Sequence, residues 1–396
     1  MNKKIILPFI IFIDFLFILY GVSEISISYK EAVVLYKSQD FLSYVVQFST
    51  YIFGENDYAL RGPFILMHLL SIILLYIISG YYLKSELDRL YSVIIFVLLP
   101  GVASSALVVT SSGLAIFFTL LFIYLFEEKK KYLYYPLIIC LLIVDNSFFI
   151  LYLALFSYGV YKSDKNLYIL SAVLFIISLY LFGFSAGGRP QTYFLDTLAM
   201  YAVIFSPLLF LYFFYTLYRT LFKFKKTIIW FISFTALILS LIMSFRERIS
   251  IVDFAPFVVI STPLIVLNFL NSYRVRLLKY RLPYKIALIF TSLFLILNFL
   301  FTYFNKYLYL YDTNPQKHFA KKYHIVKELA TRLKEIGINS VQCEDKKLAL
   351  RLKFYQISSG DKYYLSTRQS GDLYKKVTIS YISKPIKTYY VSKLHK

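Results

Sequence analysis

Apolar runs of near membrane-spanning length recur along this chain, and they constrain its fold more than any other feature. About eleven can be read, at 5–22, 63–83, 90–104, 107–126, 132–145, 147–161, 166–184, 196–218, 227–245, 254–271 and 284–304. A helix crosses the bilayer hydrocarbon with about 20 mostly apolar residues. Backbone polar groups inside lipid must be satisfied within the segment itself, which leaves the α-helix as the conformation for such runs. Breaks at Leu99-Pro100-Gly101 and Asp145-Asn146 divide the longer apolar regions into separate helices. Composition agrees: 59% of the 396 residues are hydrophobic and 16% are charged, against about 45–50% and 25% in soluble domains. A soluble enzyme, a disordered chain and a collagen-like fibre are excluded.

The net charge of +21 would suggest nucleic acid in a soluble protein, but the basic residues outside the tail lie mostly in short loops between apolar runs. Alternate loops, beginning with Lys3-Lys4, hold 18 lysines and arginines, and the opposite loops hold six. Cytoplasmic loops are the basic ones, so the pattern predicts a multi-pass membrane protein with a cytoplasmic N-terminus and no nucleic-acid partner. The first run lacks a small-residue cleavage site and reads as an anchor, not a removable leader. An odd number of spans places the C-terminus outside. Cys140, Cys343 and four scattered histidines form no disulfide framework and no metal pattern; no metal and no cofactor are expected.

Two parts lie outside the bilayer in this reading. The first external loop, 23–62, contains Phe41, Leu42, Val45, Val46, Phe48, Tyr51, Ile52 and Phe53, a pattern for a helix in the membrane interface. The tail, 305–396, turns abruptly polar and basic. Ile325, Leu329, Leu333 and Ile336 recur at helical spacing, and Gly337 ends that helix. A short strand at 339–342, a helix at 345–355 and strands at 362–366 and 377–382 complete a small α/β domain. The expected architecture is a polytopic α-helical membrane domain, 1–304, with about 11 transmembrane helices, followed by a periplasmic α/β domain, 305–396.

The few ionisable groups of the external segments carry any chemistry. Glu31 is the first general-base candidate and Glu24 the second, since a carboxylate can take a proton from an acceptor hydroxyl or amine. Each also has a plainer reading: an acid at a helix N-terminus for Glu31, a solvated span end for Glu24. Arg246, Arg248 and Arg189 are candidates for a departing phosphate through charge-assisted hydrogen bonds, or for lipid headgroup contact. Arg61 binds substrate or orders its loop, pairing with Asp57. Asp145, at an external span end, borders a candidate substrate cavity or serves as a hydrogen-bonded structural acid. Asp14, mid-span, should face the helix bundle, and His68 should be packed or hydrogen-bonded.

The segment Ser28-Tyr29-Lys30-Glu31-Ala32, followed by Phe53-Gly54-Glu55-Asn56-Asp57-Tyr58-Ala59-Leu60-Arg61-Gly62-Pro63, resembles the first loop of GT-C fold glycosyltransferases. It is most similar to the bacterial branch related to protein O-mannosyltransferases and the lipid A aminoarabinose transferase. There an Asp-Glu-Ala element follows the first span, and Gly-x-x-x-x-x-x-Arg-x-Pro opens the second. Here Lys30 stands in place of the aspartate, and the second external loop, around 101–112, has no carboxylate. The resemblance implies sugar transfer from a polyprenyl-phosphate donor to a glycan, lipid or protein acceptor outside the cytoplasm. Two rivals remain open: a non-catalytic protein of envelope assembly and a transporter.

Overall fold

A computed structural model of the chain describes residues 3–182, 192–311, 314, 316, 318–368, 373–381 and 384–393. The helices begin with α1 (Lys3–Glu24), α2 (Tyr29–Tyr36), α3 (Phe41–Phe53), α4 (Asp57–Tyr82), α5 (Glu86–Leu98) and α6 (Pro100–Leu107). They continue with α7 (Ser111–Glu127), α8 (Lys131–Val144), α9 (Phe149–Lys162), α10 (Lys165–Phe182), α11 (Phe194–Phe205) and α12 (Pro207–Lys223). Then come α13 (Ile228–Ser244), α14 (Ile251–Val259), α15 (Thr262–Val275) and α16 (Leu282–Tyr303). The tail holds α17 (Lys321–Glu335) and α18 (Lys346–Phe354) with strands β1 (Gln342–Cys343), β2 (Tyr363–Ser366), β3 (Leu373–Tyr381) and β4 (Lys384–Lys393).

Among the described residues, Ile5–Glu24, Asp57–Tyr82, Lys165–Phe182 and Leu278–Tyr303 are long and apolar enough to cross a membrane. The bent pairs α5–α6, α11–α12 and α14–α15, with angles of 61°, 106° and 45°, raise the count to seven if each is one broken span. That is fewer than the eleven apolar runs. The difference lies in α7, α8, α9 and α13, which have 14 to 17 residues. At 1.5 Å per residue a 14-residue helix covers about 21 Å of a roughly 30 Å hydrocarbon layer. Two breaks have proline causes. Pro100 pushes Leu99 to an extended ψ of 124°, and Ser206, before Pro207, turns at φ +75°.

Chain contacts define two compact units: residues 1–15, 64–106 and 110–299 in the first, and 16–63, 107–109 and 300–396 in the second. In the first, α13 is buried over most of its circumference and packs on α9 and α14. Its Ser233 hydroxyl donates to the Phe257 carbonyl at 3.0 Å. Pro256 explains a nearby contact: lacking an N–H, it leaves the Val252 carbonyl without its helical donor, and the Ser112 hydroxyl fills the vacancy at 2.9 Å. Asp14 meets His68 Nε2 at 2.7 Å, both buried, as expected for an acid within a span.

In the second unit the tail forms a four-stranded sheet of order β1-β2-β4-β3, with β1–β2 parallel and the other pairs antiparallel. Ile325, Leu329 and Leu333 of α17 pack with Leu348, Leu365, Ile379 and Val391 in its core. Gly337 ends the α17 segment at φ +81°, a conformation glycine adopts without a Cβ clash. Two strand expectations shift. β1 is at 342–343, with Ser340 in an isolated bridge to Ser358, and β4, which pairs with β3 over most of its length, is an added strand.

Candidate functional site

The first loop is two capped helices. Ser28 caps α2 through a reciprocal box: its Oγ accepts from the Glu31 N–H at 3.2 Å, and Glu31 Oε2 accepts from the Ser28 N–H at 2.7 Å. Asp40 caps α3 by accepting from Ser43 N–H at 2.9 Å. Gly54 ends α3 at φ +79°, and Asn56 Oδ1 accepts from the Tyr58 and Ala59 N–H groups to start α4. Pro63 deprives the Ala59 carbonyl of its helical donor; the Ser49 hydroxyl of α3 occupies it at 2.6 Å. The Arg-x-Pro element thereby ties α3 to α4.

Arg61 and Glu31 form the centre, both fully buried. Arg61 Nε donates to Glu31 Oε1 at 3.2 Å, and Nη2 to Oε2 at 3.3 Å. The remaining guanidinium hydrogens reach the carbonyls of Ile25 and Ser26, each at 3.3 Å, with Asp57 Oδ1 at 3.6 Å from Nη1. Glu31 Oε1 also accepts from the Val109 N–H at 3.0 Å. Two backbone amides and a bidentate guanidinium therefore use about all four acceptor positions of the carboxylate. A buried ion pair repays its desolvation only with such complete hydrogen bonding.

Asp57 extends the network into the tail. Lys327 Nζ lies 2.8 Å from its Oδ2, and the Tyr355 hydroxyl donates to Oδ1 at 3.0 Å while accepting from the Ile27 N–H. Burial and the neighbouring Asp57 carboxylate push the Tyr355 phenol upward. Arg351, one turn earlier on α18, donates to the Ile27 carbonyl at 2.7 Å and to the Lys322 carbonyl; burial lowers its pKa. The Ser26 N–H donates to the Tyr323 carbonyl at 2.6 Å.

The expected site residues are thus distributed unevenly. Glu31, Arg61 and Asp57 come together in one buried network, with Arg61 ordering the loop. Glu24, in the same unit, has an accessible carboxylate whose side chain is 32% exposed and lies 2.7 Å from Lys306 Nζ. Arg246 and Arg248 are exposed in the other compact unit. Asp145, also in that unit, caps a short turn by accepting from the Ser147 N–H at 2.8 Å. Arg189 lies outside the described residues. Among the described residues, no group of histidine, cysteine and carboxylate side chains is arranged to hold a metal.

Sequence reading missed Val109, Lys327, Arg351 and Tyr355. The last two are four apart, on one helix face, which is the one local sign that α18 presents a polar surface to a partner. The Ser-x-x-Glu spacing at 28–31 was a readable capping signature that places Glu31 in a structural position. No protein-family model matches the chain, and no curated protein matches it.

Proposed function

We propose that the chain is a polytopic membrane glycosyltransferase of GT-C-like design, moving a sugar from a polyprenyl-phosphate carrier to an envelope acceptor. One observation carries the reading. The two residues on which the sequence resemblance rests, Glu31 and Arg61, are 30 positions apart and meet as a fully buried bidentate pair. In this reading α7, α8, α9 and α13 also cross, giving about eleven spans. The N-terminus faces the cytoplasm of a bacterial inner membrane, and the loop and tail face the periplasm.

The closed network around Glu31 moves the general-base role to Glu24. A base needs a lone pair within hydrogen-bond reach of the acceptor proton, and Glu24 keeps an accessible carboxylate. Arg246 and Arg248 remain the candidates for the carrier phosphate, and carrier and acceptor are the partners. A second reading, a non-catalytic protein of envelope assembly, is favoured by Lys30 in the aspartate position together with the saturated Glu31.

The test uses purified protein in detergent with a radiolabelled polyprenyl-phosphate sugar. Glu24→Gln should lower transfer by roughly 100-fold or more with carrier retention unchanged, whereas Arg246→Ala and Arg248→Ala should weaken both. If the wild type neither retains nor turns over the carrier, and the variants leave cellular glycans intact, the assembly reading replaces this one.

A further inference from the structure

Within the first unit, a cavity of about 900 Å³ is bordered by α5, α12, α15 and α16. Its walls are mostly apolar, among them Ile95, Leu209, Val266, Phe269 and Ile286. A volume near the top of the usual range for ligand sites, roughly 300–1,000 Å³, accommodates long hydrocarbon chains.

Charge is concentrated at one end. Lys285 is part of the lining, and so are Tyr273 and Tyr284. The Arg276 guanidinium lies 5.6 Å from the centre of the Tyr284 ring, and that of Arg281 lies 5.3 Å from the Tyr273 ring. Both of these rings are among the six aromatic rings that line the cavity. Arg274 is already engaged by Asp88 at 2.7 Å, but no carboxylate pairs with Arg276, Arg281 or Lys285 among the described residues. The sequence from Arg274 to Asn305 contains no aspartate or glutamate. An apolar trough with unneutralised cations at one mouth matches an anionic headgroup carried on acyl chains, since basic pockets between membrane helices take such headgroups.

We infer that this groove is a binding site for an anionic phospholipid of the surrounding bilayer, with its acyl chains between α16 and α12–α15 and its phosphate beside Arg276, Arg281 and Lys285. The occupant is the phospholipid and not the sugar carrier because of where the cations stand on α16. Lys285 is near the start of that helix, and Tyr303 at its end leads into the tail. The 18 helical steps from one to the other rise about 27 Å, close to a full bilayer core. These cations belong to the basic 274–285 stretch, on the cytoplasmic side in the proposed topology, whereas the proposed transfer chemistry, on which this choice of occupant rests, belongs to the other side.

The experiment is native mass spectrometry of the detergent-purified full chain, titrated with phosphatidylglycerol, phosphatidylcholine or undecaprenyl phosphate. Wild type should prefer phosphatidylglycerol to phosphatidylcholine by at least about tenfold. The double variant Arg276→Gln/Lys285→Gln should lose that preference, while Arg281, which donates to the carbonyls of Arg274 and Arg276, is left in place to hold the loop. Ala287→Phe, on the exposed wall of the groove, should reduce occupancy by both phospholipids without changing charge. Because the readout is a ratio between lipids on intact protein, a variant that misfolds is recognised by loss of its charge-state envelope, and Ala287→Phe then tests the site independently. Equal binding of the two phospholipids by wild type overturns the inference. So does competition in which undecaprenyl phosphate displaces phosphatidylglycerol and itself loses binding in the double variant, which would make the groove the carrier's.

Discussion

Glu31 and Arg61 are worth most to this protein as a pair, because each leaves the other stranded when removed. Breaking a buried ion pair from one side costs about 3–5 kcal/mol, whereas replacing both partners with apolar groups is often close to neutral. Glu31→Ala or Arg61→Ala should therefore reduce thermal stability sharply in detergent, and Glu31→Leu/Arg61→Met should cost less than the sum of the single changes. A double variant as unstable as that sum would mean that the two side chains act separately. The pairing was only partly legible beforehand. Arg61 was expected to order its loop through Asp57, and it does lie near Asp57, yet its main partner is Glu31. The Val109 amide that completes the Glu31 shell is a backbone donor, and backbone donors leave no trace in residue identity. Asp14 and His68 were readable because an ionised group in lipid demands a partner.

At the scale of elements, the tail was legible wherever periodicity was strong. The α17 spacing at Ile325, Leu329 and Leu333 named its buried face. Leu329→Ala should cost about 2–5 kcal/mol through the cavity it leaves, read as faster hydrogen exchange of tail amides in the full chain. β4 escaped because Lys384-Pro385 and scattered lysines dilute its alternation, while its pairing with β3 is settled only in three dimensions. The same domain carries a pH response. His324 is buried, with Nε2 at 2.7 Å from Asn305 Oδ1 and Nδ1 facing the Tyr309 hydroxyl. Burial, then Lys306 and His318, lowers its pKa to about 3. Between that value and about 6.5 the unfolded chain binds a proton that the folded one refuses. Stability from this group is therefore complete above pH 6.5 and falls as the pH drops, by at most about 1.4 kcal/mol per unit. His324→Asn should flatten that limb of the exchange profile; an unchanged slope would assign the acid sensitivity to the carboxylates.

For the whole molecule, the apolar runs specified the membrane class, but not how many helices complete a crossing. Helix length decides that, and loops near a boundary can shorten a run by a turn. The hydrogen bonds between the first loop and the tail add a constraint that the runs lack. Segments in contact share one side of the membrane, so the chain must cross an even number of times between them. Counting each bent pair as one span gives six such crossings, and the eleven-run reading gives ten; the four long helices alone give an odd three. In a variant lacking the native cysteines, Asn56→Cys and Lys334→Cys should react with an impermeant maleimide from the same side; Lys130→Cys should react from the other side if α7 crosses, as in the eleven-run reading, and from the same side if only seven spans cross. Labelling of the first two from opposite sides would break the parity argument. The same contacts also set a schedule for synthesis. Tyr355 leaves the ribosome 298 residues after Asp57, its hydrogen-bond partner, which at about 5–20 residues per second is roughly 15–60 s. Lys327 follows Asp57 by 270 residues, so for most of that interval Asp57 lacks both Lys327 and Tyr355. The first loop of a nascent chain therefore waits, incompletely neutralised, for the last domain to be made, and a chain truncated before α17 exposes that unfinished surface to quality-control proteases.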